Sequence, residues 1–127
     1  MITFGTHYLL TVQERERSHV RVFYQDILGC SRESHDQGVT ANIPPHLDLF
    51  HFPDGAVLGV QYVNEEGKTL TTAQQRLGCW LEIKSDDVAG LVQKIKVFGV
   101  EEITDFWDPE HFYFHAPGGQ VFRVIGS

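Results

Sequence analysis

From Thr6 to Val12 the side chains alternate with a period of two, which predicts a strand with Tyr8, Leu10 and Val12 facing helices and His7, Leu9 and Thr11 on the other face. The period then lengthens. Thr11-Val12-Gln13-Glu14 fits a capping box, and Val20, Phe23, Tyr24 and Ile27 recur at helical spacing before Gly29, so a helix is expected near residues 13 to 28. Cys30 to Thr40 reads as a second strand and Ala41 to Ile43 as a loop edge. Pro44-Pro45 then breaks the pattern ahead of a hairpin spanning Leu47 to Val63. Asn64 to Leu77 is polar and lacks a sustained period, as a connector does. Beyond it, Cys79 to Lys84 alternates like a strand. Ser85-Asp86-Asp87 caps a helix near residues 86 to 98, whose Val88, Leu91, Val92, Ile95 and Phe98 form one apolar stripe ending at Gly99. Val100 to Ile103 reads as a short strand, Phe106 to Pro109 as a loop and His111 to Ile125 as a second hairpin. The predicted order is β-α-β-β-β, twice.

A direct repeat supports the doubling. Phe50 to Val60, FHFPDGAVLGV, returns sixty-four positions later as Phe114 to Val124, FHAPGGQVFRV, with six of eleven positions identical. Pro53 and Pro117 preset φ for a turn, and Gly55 and Gly119 supply the positive φ that a reversal needs. The organisation expected is a first module over residues 1–63, a linker over 64–77 and a second module over 78–127, together one compact domain.

Composition narrows the function classes. With 17 acidic against 10 basic residues the net charge is −7, and no run of Lys or Arg offers a footprint for phosphates, so nucleic acid is not expected as a partner. No segment is apolar for the length of a membrane span and the first residues have no basic leader, from which a cytoplasmic protein is expected. Cys30 and Cys79 are the only cysteines and show no CxxC spacing. No nucleophile with a partner base, phosphate loop or dinucleotide fingerprint is recognisable.

HYLLTV followed by RVFYQDILGC, a second capped strand-helix unit and a terminal PGGQVFRVI together resemble the vicinal oxygen chelate superfamily, which holds glyoxalase, bleomycin-resistance and extradiol-dioxygenase proteins. The resemblance covers nearly the whole chain. Its most specific pieces are Phe23, Tyr24, Asp26, Leu28 and Gly29 at the helix end, and the closing hairpin. There Ala116-Pro117-Gly118-Gly119 stands in place of the usual Asp-Pro-x-Gly turn. It implies an α+β fold of two βαβββ modules, with curved mixed sheets around a cavity and helices on the outer faces. Homodimers are usual among the short members.

The resemblance also implies four metal-ligating positions. His7 stands where the first His commonly sits, Gly59 replaces the first carboxylate, Gly78 or Cys79 replaces the second His depending on register, and Arg123 replaces the final Glu. The internal repeat pairs Gly59 with Arg123 independently. A guanidinium repels a divalent cation, so no cofactor is expected; the alternative is a divalent metal bound through His7 and Cys79. If Cys79, Leu81 and Ile83 face the helix, then Trp80, Glu82 and Lys84 face the cavity, with Glu82 in reach of Arg123. His7, Gln61, Trp80, Glu82 and Arg123 are the candidate ligand-binding residues, suited to a planar or anionic organic molecule.

Plainer readings compete. Trp80 also suits the core, and Glu82 with Arg123 also suits a structural ion pair. His51 and His115 precede the paired turns as packing residues. His111, Tyr113 and His115 share a strand face, but no carboxylate or Cys at suitable spacing joins them. The leading function is metal-free binding of a small molecule, of the resistance or sequestration type. The alternative is a lyase, isomerase or dioxygenase, either with unusual metal ligands or metal-independent with Glu82 as catalytic base. A pairing module defined by its dimer interface is the third class.

Overall fold

The computed structural model describes residues 1–36, 46–64 and 70–127. The chain divides into two compact units, Met1–Glu65 and Glu66–Ser127. Each holds a four-stranded mixed sheet, making the fold α+β with two βαβββ modules. No helix among the described residues is long and apolar enough to cross a membrane.

In the first unit, β1 (His7–Gln13) pairs in parallel with β4 (Val57–Val63); β4 pairs antiparallel with β3 (Leu47–His51), and β3 with β2 (Ser31–His35), giving the order β1-β4-β3-β2. The predicted helix forms in three pieces: a 3-10 turn at Glu14–Glu16, α1 at Arg17–Val22 and a π-helical turn at Phe23–Ile27. Thr11 does not cap it. Its hydroxyl lies in β1 and accepts from Gln61 Nε2 at 2.6 Å, while Gln13 at the helix start makes no side-chain cap. The expected strand from Cys30 to Thr40 is Ser31–His35; residues 37–45, including the loop edge and Pro44-Pro45, lie outside the described residues.

Alternation in β1 places Val12 in the core and leaves His7, Leu9 and Thr11 exposed. Val20, Phe23 and Tyr24 of the helix are buried with Phe50, Leu58, Val60 and Tyr62 of the sheet, and the rings of Tyr24 and Phe50 stack at 5.0 Å. Desolvation raises the Tyr24 phenol and pushes the buried Cys30 thiol up to about 12, leaving both neutral. One carboxylate enters this core. Asp48 is fully buried and accepts from Arg21 Nε (2.8 Å), Arg21 Nη2 (3.1 Å), Ser34 Oγ (2.6 Å) and Tyr62 OH (2.7 Å).

In the second unit, β5 (Trp80–Ser85), β6 (Glu101–Ile103), β7 (Phe112–His115) and β8 (Val121–Gly126) take the order β5-β8-β7-β6, with β5 and β8 parallel. The Asp87 side chain accepts from Gly90 N–H at 3.0 Å to start α3 (Val88–Phe98). Gly99, at φ 99°, ends it. Ile95, Ile83, Phe114, Phe122 and Val124 are buried, and Phe114 stacks between Phe112 and Phe122 at 5.5 and 5.8 Å.

The repeat is repeated in register. Phe50 faces Leu58 and His51 faces Val57 in one hairpin, as Phe114 faces Phe122 and His115 faces Val121 in the other. The turns match too. Phe52 N–H donates to Ala56 O and Ala116 N–H to Gln120 O, at 2.9 and 2.8 Å, and Gly55 and Gly119 stand at φ 95° and 106°. The polar connector is more ordered than its lack of period predicts. Thr72–Gln75 forms a single helical turn, α2, closed by a capping box between Thr71 and Gln74.

Candidate functional site

On the sheet face of the second unit opposite α3, one row runs Glu82, Arg123, Tyr113, Ile103 across β5, β8, β7 and β6. Parallel pairing of β5 with β8 sets Glu82 beside Arg123, and the two side chains form an ion pair. The Arg123 guanidinium lies 4.9 Å from the centre of the Trp80 ring, within range for a cation–π contact. Hydrogen bonding to Glu82, then to Tyr113, raises the guanidinium above its already high value, so it stays charged.

A third partner comes from the loop before β7. Asp108 Oδ2 accepts from His111 Nδ1 at 2.7 Å and from Tyr113 OH at 2.9 Å, with Arg123 Nη1 at 3.5 Å; Asp108 Oδ1 accepts from Glu110 N–H at 3.2 Å. Desolvation alone would raise the Asp108 carboxyl, but the hydrogen bonds from His111, Tyr113 and Glu110 outweigh it and hold the group below the usual carboxylate range. Trp80 and Phe106 meet the Tyr113 ring edge-on, at 6.0 and 4.8 Å between centres, and wall the row with aromatic surface.

Two sequence expectations need correction here. His111 and Tyr113 do have a carboxylate: Asp108, three residues before His111, joins them. The Asp-Pro-Glu-His order permits this contact, but only the loop's path reveals it. The second concerns register. His7 pairs with Val57 and Trp80 pairs with Val121, and the repeat equates Val57 with Val121, so the counterpart of His7 in the second unit is Trp80 rather than Gly78 or Cys79. Cys79 is exposed just before β5, its carbonyl accepting from Gln120 Nε2 at 2.8 Å.

In the first unit, the corresponding face carries His7, Leu9, Thr11, Gly59 and Gln61. His7 is exposed, and Gln61 is tied to Thr11. Gly59 sits between leucines: a Cβ built there would lie 3.1 Å from Leu9 Cδ1 and 3.3 Å from Leu49 Cδ2. The position paired with Arg123 therefore has an aliphatic surround. Among the described residues, no group of three or more His, Cys, Asp or Glu is arranged to hold a metal ion. Gly59, Trp80 and Arg123 offer a cation no donor. His115 is buried; its Nε2 takes a long contact from Arg76 Nε at 3.5 Å, and desolvation lowers its affinity for a proton.

This fold is shared with solved structures of fosfomycin resistance and glyoxalase proteins. The fosfomycin resistance protein FosX of Listeria monocytogenes, complexed with Mn(II) and 1S,2S-dihydroxypropylphosphonic acid, matches at TM-score 0.66 and 17% identity, over 100% of this chain and 93% of its own. A possible glyoxalase from Bacillus cereus matches at TM-score 0.64 and 18% identity, over 98% and 99% of the two chains. The trypanothione-dependent glyoxalase I of Leishmania major matches at TM-score 0.69 and 15% identity, over 98% and 87%. At these identities the likeness establishes the fold. No protein-family model matches the sequence, and neither does any curated protein.

Proposed function

We propose that the protein binds a small planar organic molecule bearing a carboxylate or polarised oxygen on the Trp80–Arg123 face, without the metal arrangement of its structural neighbours. The observation that carries this reading is the guanidinium of Arg123 lying over Trp80, at the position the repeat equates with Gly59. A flat ligand can share the Trp80 ring while its oxygen takes an arm of the guanidinium. Glu82, whose side chain is 34% exposed, is the partner placed to give way, whereas Asp108 at 11% is held by its other bonds. Glu82 is accordingly a binding-site gate more than a base, since Arg123 already engages its carboxylate. His7 and Gln61 lie on the corresponding face of the first unit, and the assembly is a homodimer.

The test is calorimetric titration with 2-naphthoate. Arg123→Glu should weaken binding at least tenfold, and Arg123→Lys less, because it keeps the charge and loses the planar fork. Equal binding by wild type and Arg123→Glu would overturn the reading. A metal-dependent enzyme is the second reading, favoured by the fold shared with Mn(II)-complexed FosX. Stoichiometric Zn, Ni, Fe or Mn bound through His7 in protein purified without added metal would put it first.

A further inference from the structure

The loop before β7 holds a group that the binding reading does not use. His111 commits Nδ1 to Asp108 at 2.7 Å, so its proton sits on that nitrogen and the lone pair of the neutral ring is left on Nε2; the side chain is 39% exposed, within reach of solvent. Asp108 is itself fixed. Only 11% of its side chain is exposed, Glu110 N–H holds one oxygen, and Tyr113 OH shares the other with His111. Two other acid–His pairs among the described residues show what an ordinary surface contact looks like. His19 with Glu16 stands at 3.9 Å with the His 75% exposed, and His35 with Glu33 at 3.4 Å with the Glu 57% exposed. Neither carboxylate is as covered as that of Asp108.

We propose that His111 is a general base, with Asp108 as its positioning residue, able to hydrolyse a small activated ester of a planar alcohol without a metal. Trp80, which packs edge-on against Tyr113 and is itself exposed, offers aromatic surface in the same unit for the ring of such an ester. His111 is bonded to Asp108, whose same carboxylate oxygen is also contacted by Tyr113 and Arg123, and Arg123 in turn pairs with Glu82. In the step, a water oxygen attacks the ester carbonyl carbon while His111 Nε2 takes one of its protons. The carbonyl electron pair moves to oxygen. The tetrahedral species then collapses, the carbonyl re-forms, the bond to the alcohol oxygen breaks, and the leaving oxygen takes the proton back from Nε2. The products are a carboxylic acid and the planar alcohol, with His111 neutral again and no oxidant or reductant consumed.

The probe is 4-nitrophenyl acetate, given to the full-length protein in the presence of a chelator. Wild type should exceed the buffer rate, His111→Gln should lose at least fivefold of that excess, and His19→Gln should retain it. Asp108→Asn should reduce the rate, and nitrogen NMR should show His111 losing the Nδ1–H tautomer that wild type displays, a change that a merely structural role for Asp108 would not produce. A folded His111→Gln as active as wild type, wild type no faster than buffer, or a wild-type His111 protonated on Nε2 would each overturn the proposal. The NMR measurement needs only the wild-type protein, so it decides even if a variant fails to fold. Naphthoate binding follows Arg123 and ester hydrolysis follows His111, so the two readings fail separately.

Discussion

Asp48 is a polar residue in the middle of LDLFH, where a simple inside-outside reading of the strand would send it to solvent with Leu47 and Leu49 inward. The structure does the reverse, because Phe50 shares the Asp48 face and is fully buried. Four hydrogen bonds make this tolerable, two of them from one guanidinium. Asp48→Asn takes from Arg21 the carboxylate it hydrogen-bonds, leaving only Asp36 Oδ1 at 3.8 Å, and should cost about 3 kcal/mol in urea unfolding. The pH dependence follows from direction. Desolvation pushes the Asp48 carboxyl up, but bonds from Arg21, Ser34 and Tyr62 pull it further down, so its folded value is depressed. Its contribution is present above the unfolded carboxylate's range, near pH 4, and is lost as pH falls through the lower folded value. The urea midpoint of wild type should therefore fall on acidification below about pH 4 more steeply than that of Asp48→Asn. Residues of this kind were the least legible in the sequence. Glu82 and Arg123 could be matched because strand register alone brings them together, whereas Asp108 reaches His111, Tyr113 and Arg123 only through the path of a loop.

Among elements, the hairpins are legible in the sequence because the same turn is written twice, with Pro and Gly at equivalent places. Gly119 in the second turn and Gly59 inside β4 have different reasons to be glycine. Gly119 stands at φ 106°, where an L side chain is strained, and a Cβ there would also meet the side-chain amide of Gln75, the last residue of α2. Gly119→Ala should destabilise by at least about 1 kcal/mol, read as a lower urea midpoint. Gly59 has no positive φ, and the atoms a Cβ would meet are leucine methyls, of which Leu9 is exposed and free to rotate away. Gly59→Ala should stay within about 0.5 kcal/mol of wild type. The α2 turn itself escaped the hydrophobic pattern because a four-residue helix has too few positions to show a period. Its signal was the Thr71-x-x-Gln74 capping box, which forms as that spacing allows. The reverse happened at Thr11-x-x-Glu14, where a similar spacing was claimed by the strand and the hydroxyl went to Gln61.

For the whole molecule, duplication made the fold class legible, since each βαβββ unit has one sheet face covered by its helix and a second face that this helix does not cover. Each four-stranded sheet also ends on two edge strands, β1 and β2 in one and β5 and β6 in the other. In the first unit this second face is apolar at its centre: Leu9, 58% exposed, sits beside Gly59, with Leu49 on the other side. A two-fold pairing of chains meets both conditions with one isologous contact. Light scattering at high micromolar concentration should give a mass twice that of the 14.4 kDa chain. Leu9→Asp places a carboxylate on that face without touching the core, so it should move the mass toward one chain while leaving the urea midpoint of the monomer little changed. Asp86→Asn, a charge change in the loop before α3, should leave the dimer intact. A 14.4 kDa species for wild type at that concentration, or a Leu9→Asp protein as dimeric as wild type, would remove this face from the assembly.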